Sequence, residues 1–106
     1  MVTAAFSTGH LRLFSLATAQ LLVEVAAHLR WIGQLIDAGR GRFASAAEDG
    51  FVHLWRRAGE TIEYADSIQL ENGLLVGGVR LGAEHDDRAA FVLAVYGRPE
   101  LYVVTT

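Results

Sequence analysis

Short apolar runs separated by glycine-containing polar turns make up much of the chain, a pattern that predicts β-strands. The clearest example is the segment Phe43-Ala-Ser-Ala-Ala-Glu-Asp-Gly-Phe-Val-His-Leu-Trp55. It predicts two strands joined by a tight turn at Asp49-Gly50, because Gly50 can adopt a positive φ without a Cβ clash. The rest of the chain can be aligned on this hairpin.

Two weaker copies of the hairpin lie on either side of it. Residues 8–14 and residues 96–102 each align with residues 49–55, from the turn to the final aromatic side chain. The spacings of 41 and 47 residues are the same for the aromatics and for the turn glycines, Gly9, Gly50 and Gly97. A period of about 40–45 residues with four strands per repeat is typical of propeller blades. We therefore predict an all-β fold made of antiparallel, four-stranded β-propeller blades.

The repeat register also predicts how the blades divide the chain. With the strands of a blade labelled a to d from the inside out, residues 1–28 supply strands b-c-d of a first blade. Residues 29–70 form a complete central blade, and residues 71–106 supply strands a-b-c of a last one. At about 42 residues per blade, this is an incomplete arc of about two and a half blades.

A helix is the competing interpretation of the segment from Ser15 to Gly39. Its apolar residues recur at intervals of three and four: Leu21, Leu22, Val25, Leu29, Ile32, Leu35 and Ile36. Ser15 and Gly39 are suitable residues for the two ends of such a helix. A small α+β enzyme or ligand-binding domain with a helix at 15–39 is therefore the alternative, but the 41-residue register of the flanking hairpins favours strands.

Composition narrows the class of protein. Hydrophobic residues make up 52% of the chain, which predicts a packed core rather than disorder. The net charge is −3 and the nine basic residues, all arginine, are scattered, so nucleic acid is not an expected partner. Charged and polar residues interrupt the most apolar stretch, residues 21–36, so no membrane insertion is expected. Without cysteine, neither a disulfide nor a thiolate metal site is possible.

The central segment resembles the WD-repeat β-propeller family. The resemblance is carried by residues 45–55, preceded by Ala27-His28. It implies a buried hydrogen-bonded tetrad of four side chains in the central blade: His28, Ser45, Asp49 and Trp55. The chain departs from the family pattern at Ala27 and Arg56, where Gly and Asp are expected. The first copy also lacks the full set, since Thr8 and Ala4 stand where Asp49 and Ser45 do.

Catalytic interpretations of these residues are weaker. Ser45, His28 and Asp49 have the composition of a hydrolase triad, but no Gly-x-Ser-x-Gly elbow is present. The acidic and histidine residues at 84–87 are more typical of a solvated hairpin tip than of a cation site. The pair Arg56-Arg57 is interpreted as part of a loop, and Gly39-Arg-Gly-Arg42 lacks the Lys-Ser/Thr of a phosphate loop. We expect no catalytic residues, metal or cofactor.

The resemblance implies a non-catalytic scaffold or adaptor segment. An open arc leaves blade faces and strand edges without partners, which favours association with other chains. The expected partners are other proteins or copies of the same chain, bound through blade edges and loops. We expect a piece of a longer propeller, or a chain assembled with others, in an intracellular, cytoplasmic location.

Overall fold

The computed structural model describes residues 2–69, 75–81, 90–95 and 101–105. The regular structure of these residues consists of β-strands, and no helix occurs among them. All of the strand pairs are antiparallel. The ten strands are β1 (Val2–Ala5), β2 (His10–Phe14), β3 (Leu21–Ala26), β4 (Ile32–Gly39), β5 (Arg42–Ala47), β6 (Phe51–Ala58), β7 (Thr61–Gln69), β8 (Leu75–Leu81), β9 (Ala90–Val95) and β10 (Leu101–Thr105). The predicted all-β class is confirmed.

The strands form three sheets in the order of the sequence. The first sheet has the order β1-β2-β3, the central sheet β4-β5-β6-β7, and the third β10-β9-β8. The sheets lie within the ranges predicted for the three blades, 1–28, 29–70 and 71–106, while the exact blade boundaries stay a prediction. Strand β4 of the central sheet also contacts β8 of the third.

The central hairpin forms as the sequence pattern indicates. Strands β5 and β6 pair with Phe43 opposite Trp55 and Ser45 opposite His53. The connecting turn contains Gly50 at φ 84°, a left-handed conformation that glycine adopts at little cost. Next to Trp55 the pairing of β6 with β7 shifts register, from Leu54 opposite Asp66 to Trp55 opposite Tyr64.

The described core lies between the first and central sheets. Leu11 and Leu13 alternate inward from β2 and are fully buried. They form one cluster with side chains from the four strands of the central sheet: Ile32, Ala47, Trp55 and Ile62. Because the apolar faces of both sheets meet there, burial of this shared cluster is the main force that holds the two sheets together.

Two segments of the chain differ in structure from the sequence prediction. The helix considered at 15–39 is wrong, because residues 21–26 and 32–39 form β3 and β4. The loop predicted at Arg56-Arg57 is also wrong, since β6 continues to Ala58 and the chain turns at Gly59-Glu60 instead. Arg56 lies opposite Glu63 in the β6–β7 register, and their side chains form an exposed ion pair at 2.7 Å.

Candidate functional site

The structure brings the four predicted tetrad side chains together at one end of the central sheet. Nε2 of His28 lies 2.7 Å from Oγ of Ser45, and Nε1 of Trp55 lies 2.8 Å from the same oxygen. On the other side of the ring, Nδ1 of His28 lies 3.1 and 3.2 Å from the two carboxylate oxygens of Asp49. His28 comes from the β3–β4 loop, Ser45 from β5, Asp49 from the β5–β6 turn and Trp55 from β6.

The donors and acceptors of this chain of hydrogen bonds are consistent with one arrangement of protons. The indole N–H of Trp55 is only a donor, so the hydroxyl oxygen of Ser45 must accept from it. The hydroxyl hydrogen of Ser45 then donates to Nε2 of His28, and Nδ1–H of His28 donates to Asp49. This assignment leaves His28 neutral with its proton on Nδ1, and every member of the chain is satisfied.

Burial favours the same neutral form of His28. The residue is 7% exposed, and the loss of water around the ring lowers its pKa below the ordinary value. The charge of Asp49 and its hydrogen bond to the ring act in the opposite direction, as does the contact with Ser45, but desolvation is the larger effect. His28 and Asp49 are therefore better described as a hydrogen-bonded pair than as an ion pair at neutral pH.

A second histidine belongs to the site and was not assigned to it from the sequence. The ring of His53 stacks on His28 with centroids 4.3 Å apart, and it also meets the rings of Phe51, Trp55 and Tyr64. Its Nδ1 is buried without a hydrogen-bond partner. Desolvation and the neighbouring His28 lower the pKa of His53, although Asp49 and the Ala27 backbone oppose the shift. The position of His53 opposite Ser45 in the β5–β6 register is the one sequence signal that places it here.

The carboxylate of Asp49 also fixes the loop that follows His28. Oδ1 accepts a hydrogen bond from the backbone N–H of Phe51 at 3.0 Å, and Oδ2 accepts one from that of Leu29 at 3.4 Å. We call residues 29–31 the Leu29–Trp31 loop. Its end is tied to the β5–β6 turn, because the backbone N–H of Glu48 donates to the Trp31 carbonyl at 2.9 Å. The side chains of Leu29 and Trp31 are nonetheless 93% and 56% exposed.

The geometry argues against the hydrolase interpretation of Ser45, His28 and Asp49. A nucleophilic serine must present its Oγ to a substrate, whereas Ser45 is fully buried and its hydroxyl is occupied by two ring nitrogens. Within the ranges that the structure describes, no three histidine or acidic side chains are grouped so as to hold a metal ion. The candidate cation loop at 84–87 lies outside these ranges.

The flanking copies of the hairpin are only partly described. Gly9 has φ 87°, close to the 84° of Gly50, so the first and central turns share this left-handed conformation. Thr8, in the place of Asp49, bonds to His10 through its hydroxyl at 2.9 Å. Gly97 lies outside the described residues.

Three sheets of antiparallel strands define the fold of the protein, which is that of β-propeller blades. The chain superposes on the β-propeller domain of Cps50 (Swd1) from Myceliophteria thermophila with a TM-score of 0.62. That alignment covers 97% of this chain and 37% of the other, at 14% identity. In sequence, the chain is similar to WD repeat-containing protein 54, which confirms the resemblance noted above. The identity is 42% over 57 residues for the mouse protein and 30% over 99 residues for the human one.

The match to these relatives is partial. The alignments cover 53% and 92% of this chain but 17% and 30% of the mouse and human proteins, so the chain spans less than a third of their length. No protein-family model matches the chain. Among the described residues, no helix is long and apolar enough to cross a membrane.

Proposed function

We propose that the chain is a non-catalytic protein–protein interaction segment of a WD-repeat propeller that acts as a scaffold or adaptor. It works either as part of a longer propeller or assembled with other chains, in an intracellular, cytoplasmic setting. Support for the first arrangement comes from the relatives, which are more than three times as long as the part that matches. In this proposal the tetrad has a structural role, which is to hold the loops of the central blade in place.

The observation that carries the proposal is the Leu29–Trp31 loop. Tryptophan and arginine side chains supply much of the energy at protein interfaces, particularly where a rigid backbone presents them. Here Trp31 and Leu29 project from a backbone anchored to Asp49 and Glu48, and Arg30 pairs with Glu48 at 2.7 Å. An exposed tryptophan on an anchored loop loses little conformational entropy when a partner covers it.

Site-specific photo-crosslinking tests the proposed surface. A photoreactive phenylalanine analogue is placed at position 31, and in a control protein at position 16, where the native leucine is 73% exposed on the β2–β3 connection. We expect discrete adducts from position 31, either with another protein or with a second copy of the chain. Leu29→Ser should reduce them severalfold. Identical adducts from both positions, or none from position 31, would contradict the proposal.

A parallel test addresses catalysis. The pure chain is assayed on generic ester, phosphate and peptide substrates. Light scattering of the same sample gives the mass in solution, and thus shows whether the chain is alone or assembled. We expect no turnover above that of the Ser45→Ala variant. Turnover that Ser45→Ala abolishes while the far-ultraviolet circular dichroism spectrum is unchanged would show that the chain is an enzyme.

A further inference from the structure

His53 is a titratable side chain whose environment the tetrad alone does not explain. Its ring stacks on that of His28 with centroids 4.3 Å apart, and the ring centroids of Phe51, Trp55 and Tyr64 lie within 6.0 Å. Nδ1 of His53 is buried, and no described residue offers it a hydrogen bond. A buried nitrogen without a partner costs free energy that an apolar ring of the same shape would avoid. The histidine therefore makes the stack less stable than a phenylalanine would, and it adds a group that can bind a proton.

Among the described residues, the charged or titratable groups that face His53 come from three elements. They are His28 from the β3–β4 loop, Asp49 from the β5–β6 turn and Tyr64 from β7. The carboxylate of Asp49 is the anion among them, and its two oxygens already lie 3.1 and 3.2 Å from Nδ1 of His28. A proton on Nδ1 of His53 therefore finds no acceptor of its own in this set.

His28 keeps His53 neutral as long as its ring covers the stack. Desolvation is the largest effect that lowers the pKa of His53, and the neighbouring His28 lowers it further. Asp49 and the Ala27 backbone act in the opposite direction with smaller effects. Both lowering effects decrease once His28 leaves the stack and water reaches the ring. A proton on His53 therefore favours an arrangement in which His28 has moved away.

Movement of His28 would free the Leu29–Trp31 loop, which follows it directly in the chain. The backbone N–H of Leu29 lies 3.4 Å from Oδ2 of Asp49, which makes a long and weak hydrogen bond. The side chain of Leu29 is almost fully exposed, so little apolar burial opposes the movement. Ser45, in contrast, is fully buried in β5. The loop is therefore the part of the site that can open while the sheet stays folded.

We propose that the stacked His28 and His53 act as a pH-dependent latch on the Leu29–Trp31 loop. Protonation of His53 displaces His28, which releases the loop from the β5–β6 turn while the sheets stay folded. This inference rests on the function proposed above, because it assigns a mode of regulation to the same loop. A released loop presents Trp31 to a partner at a larger entropic cost. Partner binding through Trp31 should therefore weaken below pH about 6.5, where an unburied histidine takes up its proton.

Backbone hydrogen exchange of the full chain, corrected for intrinsic rates, tests the latch without a partner. The reporters are the amides of Leu29 and Glu48, which donate to Asp49 and to the Trp31 carbonyl. One proton shifts an opening equilibrium by up to about tenfold per pH unit, so we expect their protection to fall by at least about tenfold between pH 7 and 5. Strands β5 and β6 should stay at least roughly tenfold better protected than the loop at both pH values.

Two histidine variants show whether the effect belongs to the stack. His53→Phe removes the titrating ring and keeps an aromatic contact with His28, so its loop should lose protection by at least about threefold less than the native loop. His10→Gln is the matched control, because His10 lies on β2 and bonds to Thr8 rather than to the stack, and it should show the native loss. Nitrogen-15 NMR shifts of the imidazoles need no variant. In the native chain, His53 should titrate over the pH range in which the loop loses protection.

The outcomes separate the latch from the proposed function. An unchanged loop in the native chain, equal losses in the native chain and His53→Phe, or strands that lose protection to the level of the loop would overturn the latch. Crosslinking from position 31 at pH 7 is independent of these results. A failed latch with intact adducts contradicts this inference alone, whereas a working latch without adducts contradicts the proposed function alone.

Discussion

Ser45 links the two rings of the tetrad, and its hydroxyl serves both of them. It accepts from Trp55 at 2.8 Å and bonds to His28 at 2.7 Å in a fully buried position. If the Ser45 hydroxyl were removed, a water molecule could take its place only if a cavity were present at that buried position. The stability of the central blade should therefore depend on this one oxygen more than on any exposed hydrogen bond.

Ser45→Ala tests that dependence. The change leaves the indole N–H of Trp55 and Nε2 of His28 buried without partners, at about 1–3 kcal/mol for each group. We expect the free energy of unfolding to fall by about 2–6 kcal/mol, measured by urea titration. Ser7→Ala, at an exposed turn position, is the control and should change it by less than about 0.5 kcal/mol. Equal effects of the two variants would show that the tetrad is not structurally important.

The stacked pair of His28 and His53 predicts how stability depends on pH. Burial lowers the pKa of both rings in the folded chain, whereas in the unfolded chain both titrate near the ordinary value of about 6.5. Below that pH the unfolded state binds protons that the folded state does not. Stability should therefore be greatest above pH about 6.5 and fall as the pH is lowered toward 5. Urea midpoints measured across this range provide the check.

Replacing His53 with an aromatic residue that does not titrate measures the contribution of His53 to the pH dependence of stability. His53→Phe keeps an aromatic ring stacked on His28 and removes the buried Nδ1 that has no partner. We expect a shallower decline in stability between pH 7 and 5 for this variant than for the native chain. An unchanged slope would assign the pH dependence to other groups.

At the scale of the strands and turns, the β1–β2 turn is packed directly against the tetrad loop. The carbonyl of Gly9 accepts hydrogen bonds from the backbone N–H groups of Ala27 and His28, at 3.1 and 3.0 Å. A Cβ on Gly9 would lie 2.1 Å from the carbonyl oxygen of His28. The turn of the first sheet thus forms one wall of the loop that supplies His28 to the central sheet.

The comparison of Gly9→Ala with Gly59→Ala measures this contact. Both glycines have positive φ, 87° and 61°, so both substitutions carry a backbone cost of about 1–2 kcal/mol. Gly59 has open space around it, whereas Gly9 would clash with backbone atoms, which adds about 1–3 kcal/mol. Thermal or urea unfolding should show the larger loss for Gly9→Ala. Equal losses would show that the turn does not support the His28 loop.

The sequence predicts some features of the strands better than others, because some depend on neighbouring residues and others on contacts between strands. Asp49-Gly50 is a local signal, because a side chain and a backbone dihedral within one turn determine it. The end of β6 depends on its backbone pairing with β7, which runs on to Ala58 opposite Thr61, and the local sequence of residues 56–58 does not contain that pairing. The stacking of His53 on His28 needs the strand register and the path of the β3–β4 loop together, which one segment of sequence does not contain.

For the whole molecule, the shared apolar cluster decides whether the sheets act as one unit. Leu11 and Leu13 of the first sheet are fully buried against residues of the central sheet, among them Ile32 and Ile62. A blade that packs only through its neighbour cannot bury its apolar face alone. The first and central sheets should therefore unfold together, and a destabilising substitution in one should also destabilise the other.

Leu13→Ala tests this coupling. Removing a fully buried leucine side chain should lower the free energy of unfolding by about 2–5 kcal/mol. If the sheets are coupled, backbone hydrogen exchange accelerates by a similar factor in β2 and in β5, although the substitution lies in β2 alone. Leu16→Ala, at a 73% exposed position, should leave both strands protected. Faster exchange confined to β1–β3 would mean that the central sheet is stable on its own, and that its loops do not need the neighbouring blade to be held in place.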